Sequence, residues 1–129
     1  GISCHRLTTS GIYVLQCGDP AGDGSGGPGY SFGPLENTPK ATGDEAPTYK
    51  KGWLAMARQS NGANTMGSQF FIVYDDSKIP NDAAGGYTVF GEVTSGLAGL
   101  DPIIKAGTKD GSGDGKPKVK TNISTITLK

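Results

Sequence analysis

The sequence predicts a mainly β domain, and an antiparallel β-barrel with at least one short helix is the architecture that fits it best. Three observations favour this fold class. Apolar runs are short and separated by long polar loops, glycine accounts for 22 of 129 residues, and helical spacing is convincing over 97–106 alone. Short strands with many tight turns are typical of closed or nearly closed antiparallel sheets, whereas doubly wound α/β folds alternate strands with helices. The length corresponds to one domain over 1–129.

The first two strands are expected at 4–8 and 12–17, around the turn Thr9-Ser10-Gly11. A Gly/Pro-rich and polar connection follows over 18–51, and a connection of this length is usually functional or disordered. Alternating or apolar runs predict the remaining strands, which are 53–58, 69–74, 87–93 and 119–128.

The predicted helix covers 97–106, where apolar residues recur at positions 97, 100, 103 and 104. Asp101-Pro102 lies near its start and Gly107 follows its end, as helix boundaries favour. The strand at 69–74 is unusual because Phe70 to Tyr74 is apolar without alternation. Both of its faces must therefore be covered, and we expect Phe70 to face the core and Phe71 a binding pocket.

Composition excludes several function classes. Twelve basic residues balance twelve acidic ones without a long basic stripe, so nucleic acid is not an expected partner. No apolar run reaches eighteen residues, so this segment predicts no membrane contact. The single His5 and the spacing of Cys4 and Cys17 predict no metal site. We favour two free buried thiols for these cysteines, with a disulfide across the first hairpin as the alternative.

Two glycine-rich motifs carry no function in this interpretation. Residues 22–27 match G-x-G-x-x-G, but no helix follows as a dinucleotide site requires. Residues 110–115 resemble half of an EF-hand loop, but its twelfth position is Thr121 rather than Glu, so a solvated turn is expected. A hydrolytic triad is not favoured either, because His5 is the one base available.

Three stretches combine apolar side chains with single polar groups, as an apolar pocket with a few convergent donors requires. The polar groups are Arg6, Gln16 and Gln69, and the stretches are 4–20, 53–58, and 67–72 together with 86–93. In this order they read CHRLTTSGIYVLQCGDP, WLAMAR, GSQFFI and GYTVFGEV. The sequence resembles the cyclophilin family of peptidyl-prolyl cis-trans isomerases over essentially its whole length, most closely the bacterial members.

The resemblance implies a role for each matching residue. Arg6 matches the catalytic arginine and Gln16 the glutamine that positions it. The implied substrate-binding residues are Tyr13, Val14, Ala57, Arg58, Gln59, Gln69, Phe71, Ile79 and Tyr87. Ile79 is aligned with the pocket leucine of the family, although Pro80 aligns with it equally well. The implied activity is acceleration of X-Pro rotation in peptides and unfolded protein clients, by a monomer without metal or cofactor. The alternative is a proline-peptide-binding module or folding helper without catalysis.

The sequence departs from the family pattern in three places. Two extra residues separate Arg6 from Gln16, and Lys78 stands where an aromatic residue usually precedes the pocket leucine. Lys78 implies at most weak binding of cyclosporin A. The family also carries strands and a helix before the His-Arg motif, so we expect this chain to be N-terminally incomplete, with any targeting region outside it.

Overall fold

Nine short strands and one helix make up the computed structural model, which describes residues 1–129. The helix α1 (Asp101–Ala106) follows directly on a 3₁₀ turn, Leu97–Leu100. The strands are β1 (Ile2–Thr8), β2 (Val14–Cys17), β3 (Thr48–Tyr49), β4 (Trp53–Met56), β5 (Phe70–Val73), β6 (Ser77–Lys78), β7 (Val89–Glu92), β8 (Asp114–Gly115) and β9 (Asn122–Ile123). The helix of this protein is too short to cross a membrane.

The main sheet has seven strands, all paired antiparallel. Its path runs β7-β4-β5-β2-β1-β8, and β9 also pairs with β1, while β3 and β6 form a separate two-stranded sheet. The path ends at β7 and β8 without closing on itself. The prediction of a mainly β, antiparallel fold with a short helix within 97–106 is confirmed.

The prediction of a long closing strand over 119–128 was wrong. Only Asn122–Ile123 pairs with β1, and beyond it Ile126 and Leu128 are 73% and 93% exposed. Alternation in sequence shows that a strand is compatible with the side chains, but a strand forms only where another backbone offers hydrogen bonds. The short strands β3, β6 and β8 lie in segments that the sequence predicted as loops. They form because another backbone offers hydrogen bonds there, although their side chains show no alternating apolar pattern.

Strand β5 separates two apolar clusters, and both of its faces are covered as the unbroken apolar run predicts. Phe71 and Val73 belong to one cluster, whose other buried members are Val14, Tyr49, Ala55 and Ile79. Phe70 packs against the second cluster, together with Leu100 and Ile104 from the helical segment; its buried members are Cys4, Leu7, Leu15, Cys17 and Tyr74.

Cys4 and Cys17 form a disulfide, so the favoured expectation of two free thiols was wrong. The register explains the bond, because antiparallel pairing of β1 with β2 places Cys4 directly opposite Cys17, with Cα atoms 3.9 Å apart. The sequence separation of thirteen residues left this register undetermined.

Reduction of this disulfide should lower the free energy of unfolding by about 3 kcal/mol, the value expected for a closed loop of this length. Urea unfolding with and without dithiothreitol measures the difference. The double variant Cys4→Ala/Cys17→Ala is the control, because it should unfold at the same midpoint in both conditions. An unchanged midpoint for the reduced parent would contradict the prediction.

Candidate active site

Pairing of β1 with β2 brings Arg6 and Gln16 together. The two residues are cross-strand partners and their side chains lie on the same face of the sheet. The Arg6 Nη1 group donates a hydrogen bond to Gln16 Oε1 over 3.3 Å. This contact orients the Gln16 amide, because the oxygen faces the cation and the amide NH₂ must point away from it.

Gln16 continues into a chain of hydrogen bonds that crosses three segments. Its Nε2 donates to Gln69 Oε1 over 2.8 Å, and Gln69 Nε2 donates to the carbonyl oxygens of Gly24 and Gly26, both over 2.9 Å. Each amide is therefore fixed at both ends. The guanidinium of Arg6 is thereby connected to the glycine-rich loop 24–28.

An apolar cavity of about 100 Å³ opens beside Arg6 and Gln16. Phe71 is 5% exposed and Ile79 is 9% exposed within it. The full lining is Arg6, Ile12, Val14, Gln16, Ala57, Arg58, Phe71, Ile79 and Tyr87. The cavity thus brings together eight of the residues implied by the resemblance, and it contains Ile79 rather than the exposed Pro80.

Tyr13 does not line this cavity, although the resemblance implied that it would. It lies on the other face, where its ring packs edge-on against Tyr74 with centroids 6.0 Å apart. Ile12 takes the place in the cavity. The period of two along a strand explains the difference, because Val14 and Gln16 share one face and position 12, not 13, continues it.

A second cavity of about 270 Å³, which we call the polar groove, adjoins the apolar cavity. The two share Gln16, Ala57 and Arg58 in their linings. Gln59 and Gln69, which the resemblance also implied, line the polar groove together with the backbone of loop 24–28. The predicted site is therefore divided between an apolar cavity and a neighbouring polar groove.

Arg58 is a buried structural centre, with a side chain only 1% exposed. All five of its guanidinium N–H groups are used. Nε donates to Gly86 O, Nη1 to Gln59 O and Asp82 Oδ2, and Nη2 to Asp82 Oδ1 and Gly85 O. The side chain therefore has no N–H group left for a ligand.

Arg58 also supports the wall of the apolar cavity. Its guanidinium carbon lies 4.5 Å from the centroid of the Tyr87 ring, in a cation–π contact. Its hydrogen bonds with Asp82 raise the pKa of Arg58 and lower that of the Asp82 carboxyl, so both groups stay charged at neutral pH. Tyr87 in turn packs edge-on against Phe71, with centroids 5.5 Å apart.

Two residues that the sequence did not connect with the site support it. Tyr49 is fully buried beneath the cavity, and its hydroxyl accepts a hydrogen bond from the backbone N–H of Tyr87 over 2.8 Å. Asp114 pairs with Arg6 through both carboxylate oxygens. Tyr49 lies in β3 and Asp114 in β8, short strands in segments that the sequence predicted as loops, and the glycine-rich motif around Asp114 did not indicate a contact with Arg6.

Asp19 shapes the loop that forms the polar groove. It is 1% exposed, and its carboxylate accepts hydrogen bonds from the backbone N–H groups of Ala21, Asp23 and Gly24 over 2.6–3.0 Å. A Cβ at Gly26 would lie 2.1 Å from Asp19 Oδ1, so glycine is required there. Burial alone would raise the pKa of Asp19, but the backbone N–H groups outweigh it and lower the pKa to about 2.

The protein should therefore lose stability as the pH falls from about 4 to 2. The pKa of Asp19 is lower in the folded than in the unfolded chain, so the unfolded chain binds more protons in this range. A shift of this size corresponds to roughly 2 kcal/mol. Urea unfolding at pH 5 and pH 2.5 tests it, with Asp19→Asn expected to lose this part of the pH dependence and the exposed Asp44→Asn expected to keep it. Equal pH dependence in the parent and Asp19→Asn would contradict the prediction.

Comparison with known proteins relates the chain to one family. The family model for "Cyclophilin type peptidyl-prolyl cis-trans isomerase/CLD" matches residues 1–128. A Mycobacterium tuberculosis protein named "Probable peptidyl-prolyl cis-trans isomerase B" is 50% identical over 137 residues, which cover 99% of this chain and 42% of the relative. The chain thus spans about two fifths of that relative's length. Peptidyl-prolyl cis-trans isomerase B of Bacillus subtilis is 43% identical over 98 residues, covering 75% of this chain and 59% of that protein.

A solved structure shows the same fold. A Cryptosporidium parvum cyclophilin-type isomerase, crystallised in the presence of the dipeptide Ala-Pro, superposes with a TM-score of 0.62 at 29% identity. The superposition covers 92% of this chain and 68% of that one.

Proposed function

The chain belongs to the cyclophilin-type peptidyl-prolyl cis-trans isomerase family, and we propose that it accelerates rotation about X-Pro bonds in peptides and folding proteins. The observation that carries the proposal is the guanidinium of Arg6, held at the rim of an apolar cavity that contains Phe71. The relative crystallised in the presence of Ala-Pro supports a proline-containing peptide as the ligand class.

The chemistry needs only differential binding. Rotation about a peptide bond has a barrier of about 20 kcal/mol because the amide C–N bond has double-bond character. In the twisted transition state that conjugation is lost, and the proline nitrogen regains a lone pair. A hydrogen bond from Arg6 to this nitrogen stabilises the twisted state more than the planar one, which lowers the barrier.

The cavity and groove would hold the two sides of the bond differently. The proline ring fits the apolar cavity, where Val14, Phe71 and Ile79 would bury it. The residues before proline would lie in the polar groove beside Gln59 and Gln69. One side is then fixed by packing while the other can rotate, as the reaction requires.

The backbone at 57–59 offers one donor to a peptide. The N–H groups of Ala57 and Gln59 already donate to Gln69 O and Thr65 Oγ1. The N–H of Arg58 has no such partner and is the group that we assign to a peptide carbonyl. Lys78, whose amine pairs with Glu45, offers no aromatic surface, so we propose only weak binding of cyclosporin A.

Refolding of a protein limited by prolyl isomerisation tests the proposed function. Such a protein shows a slow phase of tens of seconds at 25 °C. Substoichiometric amounts of this chain should accelerate the slow phase and leave faster phases unchanged. If the refolding protein binds the chain but its slow phase keeps the same rate, the chain is instead a binding module without catalysis.

A further inference from the structure

Asp114 holds the Arg6 guanidinium by two parallel hydrogen bonds. Arg6 Nε donates to Asp114 Oδ1 and Arg6 Nη2 to Asp114 Oδ2, both over 2.8 Å. Such a bidentate pair fixes the plane of the guanidinium as well as its distance. The Nε/Nη2 edge is thereby occupied, and Nη1 is turned towards Gln16 and the cavity.

We propose that Asp114 is the positioning residue for Arg6, which sets the orientation in which the guanidinium meets the proline nitrogen. The proposal rests on the function proposed above. Gln16 alone would hold Arg6 weakly, because the Arg6 side chain is 42% exposed and Gln16 supplies a single hydrogen bond of 3.3 Å. An arginine held by that bond alone would sample several rotamers, and few of them would direct a donor into the cavity.

The segment that carries Asp114 is itself well anchored. Thr8 and Asp114 are register partners between β1 and β8, so Asp114 lies on the strand next to Arg6. Its carbonyl oxygen and Asp110 Oδ1 share the hydroxyl of Ser112 over 2.9 Å and 2.7 Å, and the Ser112 N–H also donates to Asp110 Oδ1. The motif DGSGDG, expected from sequence to be a solvated turn, thus forms a support that delivers a carboxylate to the active arginine.

The contribution of Asp114 is orientation rather than charge. Its hydrogen bonds with Arg6 raise the pKa of the guanidinium and lower that of the carboxyl, so both groups stay ionised at neutral pH. A carboxylate beside a cation also opposes the positive charge that the reaction uses. Loss of Asp114 would leave Arg6 with its full charge but a mobile guanidinium. A lower rate in that variant would show that the orientation of the donor contributes more to catalysis than the charge that Asp114 opposes.

Kinetics of the variants test the proposal. Asp114→Ala should lower kcat about tenfold with KM little changed, because the lost interaction acts in the transition state. Asp114→Asn keeps one acceptor and the shape, and should lose less. In the Arg6→Ala background, Asp114→Ala should have no further effect, since the two residues act as a unit. The exposed Asp44→Asn is the matched control and should be unchanged.

An NMR signal of Arg6 separates positioning from folding and from the proposed activity. In the parent, the chemical shift of the Arg6 Nε–H should differ from that of exposed arginines, and this proton should exchange slowly with water. In Asp114→Ala it should move to that position, while the amide signals of Val14 and Phe71 stay in place. An unchanged Nε–H signal, or an equal loss of kcat with and without Arg6, would overturn the proposal. If the parent fails to accelerate isomerisation, the proposed function fails, and the Nε–H signal still decides whether Asp114 positions Arg6.

Discussion

Replacement of Arg6 by alanine is expected to lower kcat/KM for X-Pro isomerisation by about two to three decades, the usual effect of removing one transition-state donor. Arg6 is the only cation of the apolar cavity whose guanidinium has N–H groups left to donate, since the five guanidinium N–H groups of Arg58 are all used. An assay coupled to a protease that cleaves only the trans peptide measures the loss. Binding of the peptide should change far less, because Phe71, Val14 and Ile79 remain.

Arg6→Lys is the matched control for the role of the guanidinium. Lysine keeps the charge but lacks the planar fork that contacts Asp114 and Gln16 together. It should therefore recover little of the lost activity. Full activity in Arg6→Lys would show that charge alone suffices, and full activity in Arg6→Ala would remove Arg6 from the mechanism.

Replacement of Arg58 by alanine should lower the free energy of unfolding by about 3 kcal/mol, the lower end of the range for breaking a buried ion pair. The lower end applies because Asp82 is 29% exposed and can regain water, while the Arg58 side chain is 1% exposed. The carbonyls of Gly85 and Gly86 would lose their partner at the same time. Urea unfolding measures the change.

Arg58→Lys serves as the control for this prediction, since it keeps a charge near Asp82 but not the five-donor pattern. It should be less destabilising than Arg58→Ala. A loss within about 0.5 kcal/mol for Arg58→Ala, as for ordinary surface substitutions, would show that the network contributes little. Should Arg58→Ala fail to fold, Arg58→Lys still reports on the network through its own midpoint.

Much of the geometry of the candidate site could be predicted from the family resemblance and from strand alternation. Arg6 and Gln16 lie in adjacent strands of one hairpin, so local pairing suffices to bring them together. Alternation within β5 places Phe70 and Phe71 on opposite faces of the strand, with Phe71 on the face of the cavity. The same rule, applied to the expected strand 12–17, would also have selected Ile12 in place of Tyr13.

The remaining contacts could not be predicted because they join segments far apart in sequence. Asp114 lies 108 residues from Arg6, and Tyr49 lies 38 residues from Tyr87. Sequence patterns report which face of a strand is apolar, but not which loop returns to cover it. The same limit explains the overextended strand at 119–128. The disulfide between Cys4 and Cys17 was missed for a different reason, because it depends on the register of one hairpin, which the spacing of the cysteines does not fix.

We expect this chain to catalyse rotation about the X-Pro bond, and NMR exchange spectroscopy of an Ala-Pro peptide tests this most directly. Without a catalyst, cis and trans signals exchange over tens of seconds to minutes. We predict that micromolar amounts of the chain produce exchange cross-peaks whose build-up rate rises in proportion to its concentration. Peptide signals that shift on binding while the exchange rate stays at its uncatalysed value would contradict the claim.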